Sequence, residues 1–252
     1  MSSIVRSMLK GITTSSQRSA LHSYIQAKYE AAFPSPEREH IKPSFSAWGE
    51  DLVISAWLGI KGIPLSDVRY LDLGAAYPIF LSNTYSFYRA GGSGVLVEPD
   101  PNQVASLRQV RPRDTVIAAG VTNQERGQAE LIQLSSPVFN TFSLQNADKV
   151  VEQSKGWQAS QSQAIVGRTS VEMIPITEII DQHFSNGRIH VLSMDVEGME
   201  LPLIEAIDYS EFLPLAICVE ASEPLQAFMK VLEPHGYQMI AYTPDNFVFL
   251  RI

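Results

Sequence analysis

One cysteine in 252 residues, Cys218, excludes an internal disulfide framework. It lies in the apolar run Leu215-Ala-Ile-Cys-Val and reads as a small buried hydrophobe. Basic residues are also scarce. Nineteen Lys and Arg against 27 Asp and Glu leave a formal net charge of −8, which argues against a protein built to grip nucleic-acid phosphates. No apolar run approaches the roughly 18 residues that cross a bilayer. The glycine strings that cradle phosphates, G-x-G-x-x-G and the P-loop, are missing, and so is the G-x-S-x-G of a serine nucleophile. The five histidines show no metal-ligand spacing. What remains is ordinary for a folded chain, with 45% hydrophobic and 18% charged residues.

Acidic residues are absent from the first 29 positions, which carry Arg6, Lys10, Arg18 and Lys28. Ile4, Val5, Met8, Leu9 and Ile12 fall among them at near-helical spacing. A basic amphipathic helix of this kind is expected to pack or to dimerise, which would allow a homo-oligomer, with an arm that binds a membrane surface or partner, or is disordered, as the alternative. The segment has no continuous apolar core of the kind a secretory signal needs, so a cytoplasmic location is expected. Pro34-Ser-Pro36 and Pro43 follow a second helical stretch, and the boundary is placed between a helical appendage, 1–44, and the main domain, 45–252.

From Ser46-Ala-Trp-Gly-Glu50-Asp51 a helix begins with acidic residues in its first turn. Strand and helix signals then alternate. Strands are expected near 68–73, 94–98, 115–119, 189–194, 215–220, 237–242 and 246–251, and helices near 81–90, 101–109, 176–184, 199–207 and 223–235. The alternation predicts an α/β fold, a doubly wound, mostly parallel sheet with helices on both faces. Two stretches depart from it. Gly127-Gln-Ala-Glu-Leu-Ile-Gln-Leu reads as a strand, and the polar stretch from Gln145 to Thr169 reads as a flap. Tyr237–Tyr242, Thr243-Pro-Asp-Asn and Phe247-Val-Phe-Leu form a terminal antiparallel hairpin.

The chemistry-bearing residues gather at strand ends, where α/β sheets bind ligands. Tyr70-Leu-Asp72-Leu-Gly74-Ala75 ends a strand in a carboxylate and a glycine, and glycine lets backbone approach a ligand. Glu98, 24 residues beyond Gly74, ends the next strand and can accept hydrogen bonds from both ribose hydroxyls. Such a crevice suits a cofactor with a ribose and a cationic or amine end, S-adenosylmethionine first among them. Asp195-Val-Glu197-Gly198-Met-Glu200 puts three carboxylates in six residues, a repulsive arrangement unless something uses them. Glu200 belongs in the first turn of the next helix, where the dipole favours an acid. Asp195 and Glu197 remain as candidates to face cofactor or substrate, one as general base toward an acceptor hydroxyl. Glu220 ends the following strand, and with Asp195 offers oxygen ligands to a divalent ion, an option weighed below a simple paired or hydrated acid.

Read in order, these strings resemble the FkbM family of S-adenosylmethionine-dependent methyltransferases over roughly residues 44 to 252. The marks are Phe45-Ser-Ala-Trp-Gly-Glu50-Asp51-Leu, Leu71-Asp-Leu-Gly74-Ala and Pro78-Ile-Phe-Leu-Ser-Asn-Thr-Tyr85-Ser-Phe-Tyr88. Gly94-Val-Leu-Val-Glu98-Pro-Asp-Pro, Asn140-Thr-Phe-Ser-Leu144 and Asp195-Val-Glu197-Gly198-Met-Glu200 complete the set. The resemblance implies a class I, Rossmann-like methyltransferase fold and methyl transfer to a hydroxyl of a sugar or natural product. It also implies site roles: Asp72 and Gly74 beside the methionine part of the cofactor, Glu98 on the ribose, Ala75 and Asp195 also binding the cofactor, and Asp195 and Glu197 at the reaction centre. Glu50 and Asp51 would belong to a covering segment. The chain departs from the family pattern at Ala76, where a polar residue is usual, and at Ser193, where a lysine often stands. A noncatalytic binding or scaffolding protein of the same fold is the alternative, and a nicotinamide-dependent oxidoreductase is disfavoured by the missing G-x-G-x-x-G. Tyr77, Phe80, Tyr85, Phe139 and Phe142 are candidates for an aromatic wall or for core.

Overall fold

The computed structural model describes residues 42–156, 161–185 and 187–252. By its contacts the chain divides into two compact units, Met1–Pro43 and Ser44–Ile252. The helices expected within 1–44 fall outside the described residues, whereas the second unit is described almost throughout.

The second unit opens with α1 (Glu50–Ile60), β1 (Arg69–Leu73), α2 (Tyr85–Arg89), β2 (Ser93–Val97), α3 (Pro101–Val110) and β3 (Thr115–Ile117). Next come β4 (Gly120–Thr122), β5 (Gly127–Leu134), α4 (Leu144–Ser154), β6 (Ile165–Pro175) and α5 (Ile176–Phe184). The chain ends with β7 (Val191–Met194), α6 (Glu200–Ala206), β8 (Ala216–Glu220), α7 (Leu225–Leu232), β9 (Tyr237–Tyr242) and β10 (Asn246–Arg251).

Seven strands form one sheet in the order β3-β2-β1-β7-β8-β10-β9. It is parallel from β3 through β8, and β10 runs antiparallel to both β8 and β9. This is the expected doubly wound sheet with its closing hairpin. Both faces are covered, which is why the central strands read as continuous apolar runs. Leu71, Val95, Leu192 and Ile217 point to one face and meet Ile179, Leu203 and Phe228 of α5, α6 and α7. Tyr70, Leu96, Val191 and Cys218 point to the other and meet Ile54, Phe87 and Leu107 of α1, α2 and α3. Cys218 is fully buried there, as its apolar surroundings suggested. Successive strands after β1 build outward to β3, and the chain then returns to lay β7 on the opposite side of β1. That reversal opens a crevice at the carboxyl ends of β1 and β7.

Several expectations change. The strand expected over 115–119 stops at Ile117, and the chain leaves for a separate three-stranded sheet, β4-β6-β5. The polar stretch 145–169 is not a flap through its length. Its first part is α4, capped by Ser143 Oγ, which accepts from Asn146 N at 3.2 Å, and its end belongs to β6. The helix needs little apolar surface, because small Ala147 with Val150 and Val151 suffices to cover Ile132 and Leu134. Residues 157–160 of that stretch lie outside the described set. The first helix starts at Glu50 behind Gly49 at φ 93°, not at Ser46. The helix expected from 81 is confined to Tyr85–Arg89, since Leu81 holds φ 60°, which a helix forbids. Among the described residues no helix is long and apolar enough to cross a membrane.

Tyr70 and Gly94 sit opposite each other in the β1–β2 register. A Cβ on Gly94 would lie 2.2 Å from both the Tyr70 ring and its carbonyl oxygen. We therefore expect Gly94→Ala to lower the urea-unfolding free energy by about 3 kcal/mol; an unchanged midpoint would contradict this packing.

Candidate active site

The β1–β7 crevice holds a cavity of about 380 Å³, within the usual size range of small-molecule sites. Its floor is made by one close approach. Gly74 has φ 78°, and a Cβ there would fall 1.8 Å from the carbonyl oxygen of Asp195. Only glycine fits. Backbone bonds stitch the loop to both neighbouring strands. Gly74 N and Ala75 N donate to Val97 O at 3.0 and 3.2 Å, and Asp195 N donates to Leu73 O at 3.0 Å.

Glu98 stands beside this loop, buried, with each carboxylate oxygen accepting one backbone N–H at 2.8 Å, from Ala76 and from Asp100. Burial pushes its pKa up to about 7 against the pull of those two bonds. Ala76 contributes through its N–H, with φ 40°. The left-handed region is one that asparagine tolerates better than alanine, so a polar residue is the easier occupant of this position. Asp100 caps α3, accepting from Asn102 N at 2.8 Å, and also accepts from Asn140 Nδ2 at 2.8 Å.

Behind the cavity lies a buried polar network that sequence reasoning missed. Asp72 is buried and accepts from the Thr84 and Ser193 hydroxyls. Arg111 is fully buried and donates to Asp114 at 2.8 Å, to Tyr70 OH and Thr84 Oγ1 at 3.0 Å, and to Ser82 Oγ at 3.3 Å. Asp114 accepts in turn from Tyr70 OH and from Gly94 N. A buried ion pair is tolerable only when its remaining donors and acceptors are satisfied, and here the guanidinium finds four partners. Burial raises the Asp72 pKa, while the nearby Arg111 charge works the other way. In Arg111-Pro-Arg-Asp114 the only available signal was an i,i+3 ion pair after a helix, which reads as a solvated turn. Ser193 does not leave a gap: it ties Asp72 to Asn83, whose Nδ2 donates to Ser193 Oγ at 3.2 Å.

On the β7 and β8 side, Asp195, Glu197 and Glu220 each offer a carboxylate oxygen within 4.8 Å of the others. Glu200 stands apart from them in role. It sits in the first turn of α6 as expected, and it accepts from Val196 N at 2.7 Å and Gly198 N at 3.0 Å in the preceding turn, and from the Ser222 hydroxyl. Glu197 holds φ 59°, an uncommon backbone state of the kind that clusters at functional sites. Burial, then the Asp195 and Glu200 charges, raise its pKa to about 8. Burial, then Asp195, raise that of Glu220, whose Oε2 has no hydrogen-bond partner among the described residues. Asp195 is raised in the same way, by burial and then Glu200. Asp195 nevertheless keeps solvent contact, because its carboxylate faces the open cavity with protein close around it.

Glu50 and Asp51 anchor the segment before α1 to the cavity rim. Burial works to raise the Glu50 pKa, but bonds from Asn246 Nδ2 at 2.9 Å, Trp48 N at 2.9 Å and Thr243 Oγ1 at 2.8 Å outweigh it and hold it low. Asp51 accepts from Ser44, Phe45 and Ser46. Ala47 consequently lines the cavity, and Trp48 Nε1 donates at 2.6 Å to Asp245, another lining residue. Of the five aromatic candidates, Tyr77, Phe80, Phe139 and Phe142 line the cavity; Tyr85 packs on Phe45 instead, with centroids 4.8 Å apart.

The structure thus brings Asp72, Gly74, Ala75, Glu98, Asp195 and Glu197 to one cavity. A model of the methyltransferase FkbM domain matches residues 72–242, more than half of the chain. Similar solved structures include precorrin-6y C5,15-methyltransferase from Geobacter metallireducens, at 13% identity and TM-score 0.40, covering 79% of this chain and 87% of that one. A Burkholderia thailandensis 1,6-didemethyltoxoflavin-N1-methyltransferase with bound S-adenosylhomocysteine matches at 10% identity and TM-score 0.40, covering 94% and 89%. An O-methyltransferase from Bacillus cereus in complex with S-adenosylhomocysteine matches at 10% identity and TM-score 0.37, covering 95% and 91%. No curated protein matches the sequence.

The raised carboxyl groups fix a pH dependence. Their folded pKa values, about 7 for Glu98 and about 8 for Glu197, lie above the ordinary 4.5, so the folded chain holds protons that the unfolded chain has lost. Their contribution to stability is complete below about pH 4.5 and fades as pH rises through about 8. The melting midpoint of the ligand-free chain should fall between pH 5 and pH 8, and Glu197→Gln should flatten that fall. A midpoint rising over this window would contradict the charge crowding.

Proposed function

The chain belongs to the methyltransferase FkbM domain family, and on that premise we propose that it transfers a methyl group from S-adenosylmethionine to a hydroxyl oxygen of a small molecule, a sugar or natural product. The observation that carries the reading is the pairing of Glu98 with the Gly74 loop at the strand-order reversal. Each Glu98 oxygen has one backbone donor and a lone pair to spare, so the carboxylate retains capacity for two ribose hydroxyls. Glycine at position 74 lets the loop after β1 close against the Asp195 carbonyl, which sets Gly74 and Ala75 at the edge of the cavity. Six carboxylates line the cavity, and among its described lining residues there is no Lys, Arg or His. That imbalance favours a ligand with sulfonium and ammonium charges. S-adenosylmethionine, when bound, supplies the electrophilic methyl carbon.

The chain's own contribution is to hold the acceptor and remove its proton. Asp195 and Glu197 flank the β7 end of the cavity, and either carboxylate oxygen can take the hydroxyl proton as the bond to carbon forms. Burial and the neighbouring acids raise the Glu197 pKa to about 8, so its ionised form takes a proton more readily than an ordinary carboxylate does. Fixing the acceptor oxygen against this carboxylate lowers the barrier by orientation as well. The proximity of Asp195, Glu197 and Glu220 favours a second version, in which a divalent cation held by their oxygens lowers the hydroxyl pKa. A noncatalytic scaffold is the rival outside this chemistry, and Ala76 no longer favours it, since Glu98 needs only that residue's N–H.

Two substitutions test the reading. Glu98→Gln should weaken S-adenosylmethionine binding, read by calorimetry, by about tenfold or more; equal affinity removes the ribose role. Binding of neither S-adenosylmethionine nor S-adenosylhomocysteine by the unaltered chain would leave the scaffold. Glu197→Gln should cut S-adenosylhomocysteine release in the presence of a small-molecule extract by about 10²-fold or more, with cofactor affinity unchanged. Running that assay with and without EDTA separates the versions, because only the metal version is sensitive to the chelator.

A further inference from the structure

We propose that the methyl acceptor has a flat apolar face and carries no anionic group, and that Tyr77, Phe80 and Leu81 select it; the inference rests on the methyl-transfer reading. The apolar part comes from the loop after β1. Ile79, Phe80 and Leu81 are 39%, 67% and 39% exposed, three large apolar residues in a row left to solvent at a cavity rim. A run of this kind on a folded surface marks a contact site. Phe80 lies 5.9 Å from Tyr77, centroid to centroid, and both line the cavity with Leu81. The loop is held from behind. Ser82 Oγ accepts from Arg111, Asn83 donates to Ser193, and Thr84 bridges Arg111 and Asp72. Its apolar residues are therefore displayed by a buried framework, and Leu81 keeps its left-handed φ of 60° in doing so.

The charge part comes from the whole cavity. Phosphate, sulfate and carboxylate groups are recognised by Arg, Lys or unoccupied backbone N–H groups. Among the described residues the lining supplies six carboxylates and no basic side chain. The start of α3 is already filled by the chain's own Asp100, and the Val196 and Gly198 N–H groups in the turn before α6 are taken by Glu200. An anionic acceptor would find no cation among the described lining residues to pair it, and it would repel whichever of these acids are ionised. A neutral or cationic hydroxyl compound meets no such barrier, and its flat face can lie against one of the two rings while the other, tilted by 52°, meets its edge.

Three phenols of one shape and different charge test this: tyrosol, neutral; tyramine, cationic; and 4-hydroxyphenylacetate, anionic. Each is titrated by ligand-observed NMR into the full-length chain after S-adenosylhomocysteine binding has been measured on the same sample. Tyrosol and tyramine should bind, and 4-hydroxyphenylacetate should bind at least roughly tenfold more weakly. Phe80→Ala, at an exposed position, should leave melting and S-adenosylhomocysteine affinity unchanged while weakening tyrosol by about threefold or more. Equal binding of the anionic phenol overturns the charge claim. Failure of all three phenols, or a Phe80→Ala variant with unchanged tyrosol affinity, overturns the apolar claim. If S-adenosylhomocysteine itself does not bind, the methyl-transfer reading falls and takes this inference with it.

Discussion

The approach of Gly74 to Asp195 is the constraint from which the rest of the site follows. With the strand ends in contact, a side chain of any size at position 74 would collide with the Asp195 carbonyl. The same contact aligns the carboxyl ends of β1 and β7 at the point where strand order reverses. Everything chemical is then delivered within one cavity: Glu98 from β2, Asp195 and Glu197 from β7, Glu220 from β8. The Glu98 carboxylate closes the loop from the other side by holding Ala76.

Charge is distributed in two layers. Toward the cavity stand acids without basic partners among the described lining residues, and their pKa values rise because burial and mutual repulsion both disfavour the ionised form. Behind them Arg111 carries the compensating charge, buried with Asp114 and reaching Asp72 through Thr84. The arrangement leaves the cavity rich in acids and without a basic side chain among its described lining residues, while the framework behind it stays satisfied. A cationic cofactor and a non-anionic acceptor are the ligands we propose for such a lining.

How much of this could be read beforehand depended on distance along the chain. The hairpin Tyr237–Tyr242 and Asn246–Arg251 was legible because its turn and its strands are contiguous. Asp72-Leu-Gly74 and the Asp195–Glu200 string were legible because each ends a strand, and Glu200 could be set apart as a first-turn acid by its position alone. Arg111 was not legible. Its partners Ser82 and Tyr70 lie 29 and 41 residues away, and no local pattern reveals that a charged turn is buried. The second sheet was hidden for the same reason, since β5 and β6 are joined only by long-range pairing across α4. Within 145–169, small residues carry the packing of α4, so a search for large apolar side chains passed over it.

The most direct measurement is a crystal structure of the full-length chain grown with S-adenosylhomocysteine. The ribose hydroxyls should lie on the Glu98 carboxylate and the sulfur between the Gly74 loop and the Asp195–Glu197 edge. A nucleoside bound elsewhere, or Glu98 facing no hydroxyl, would contradict this placement.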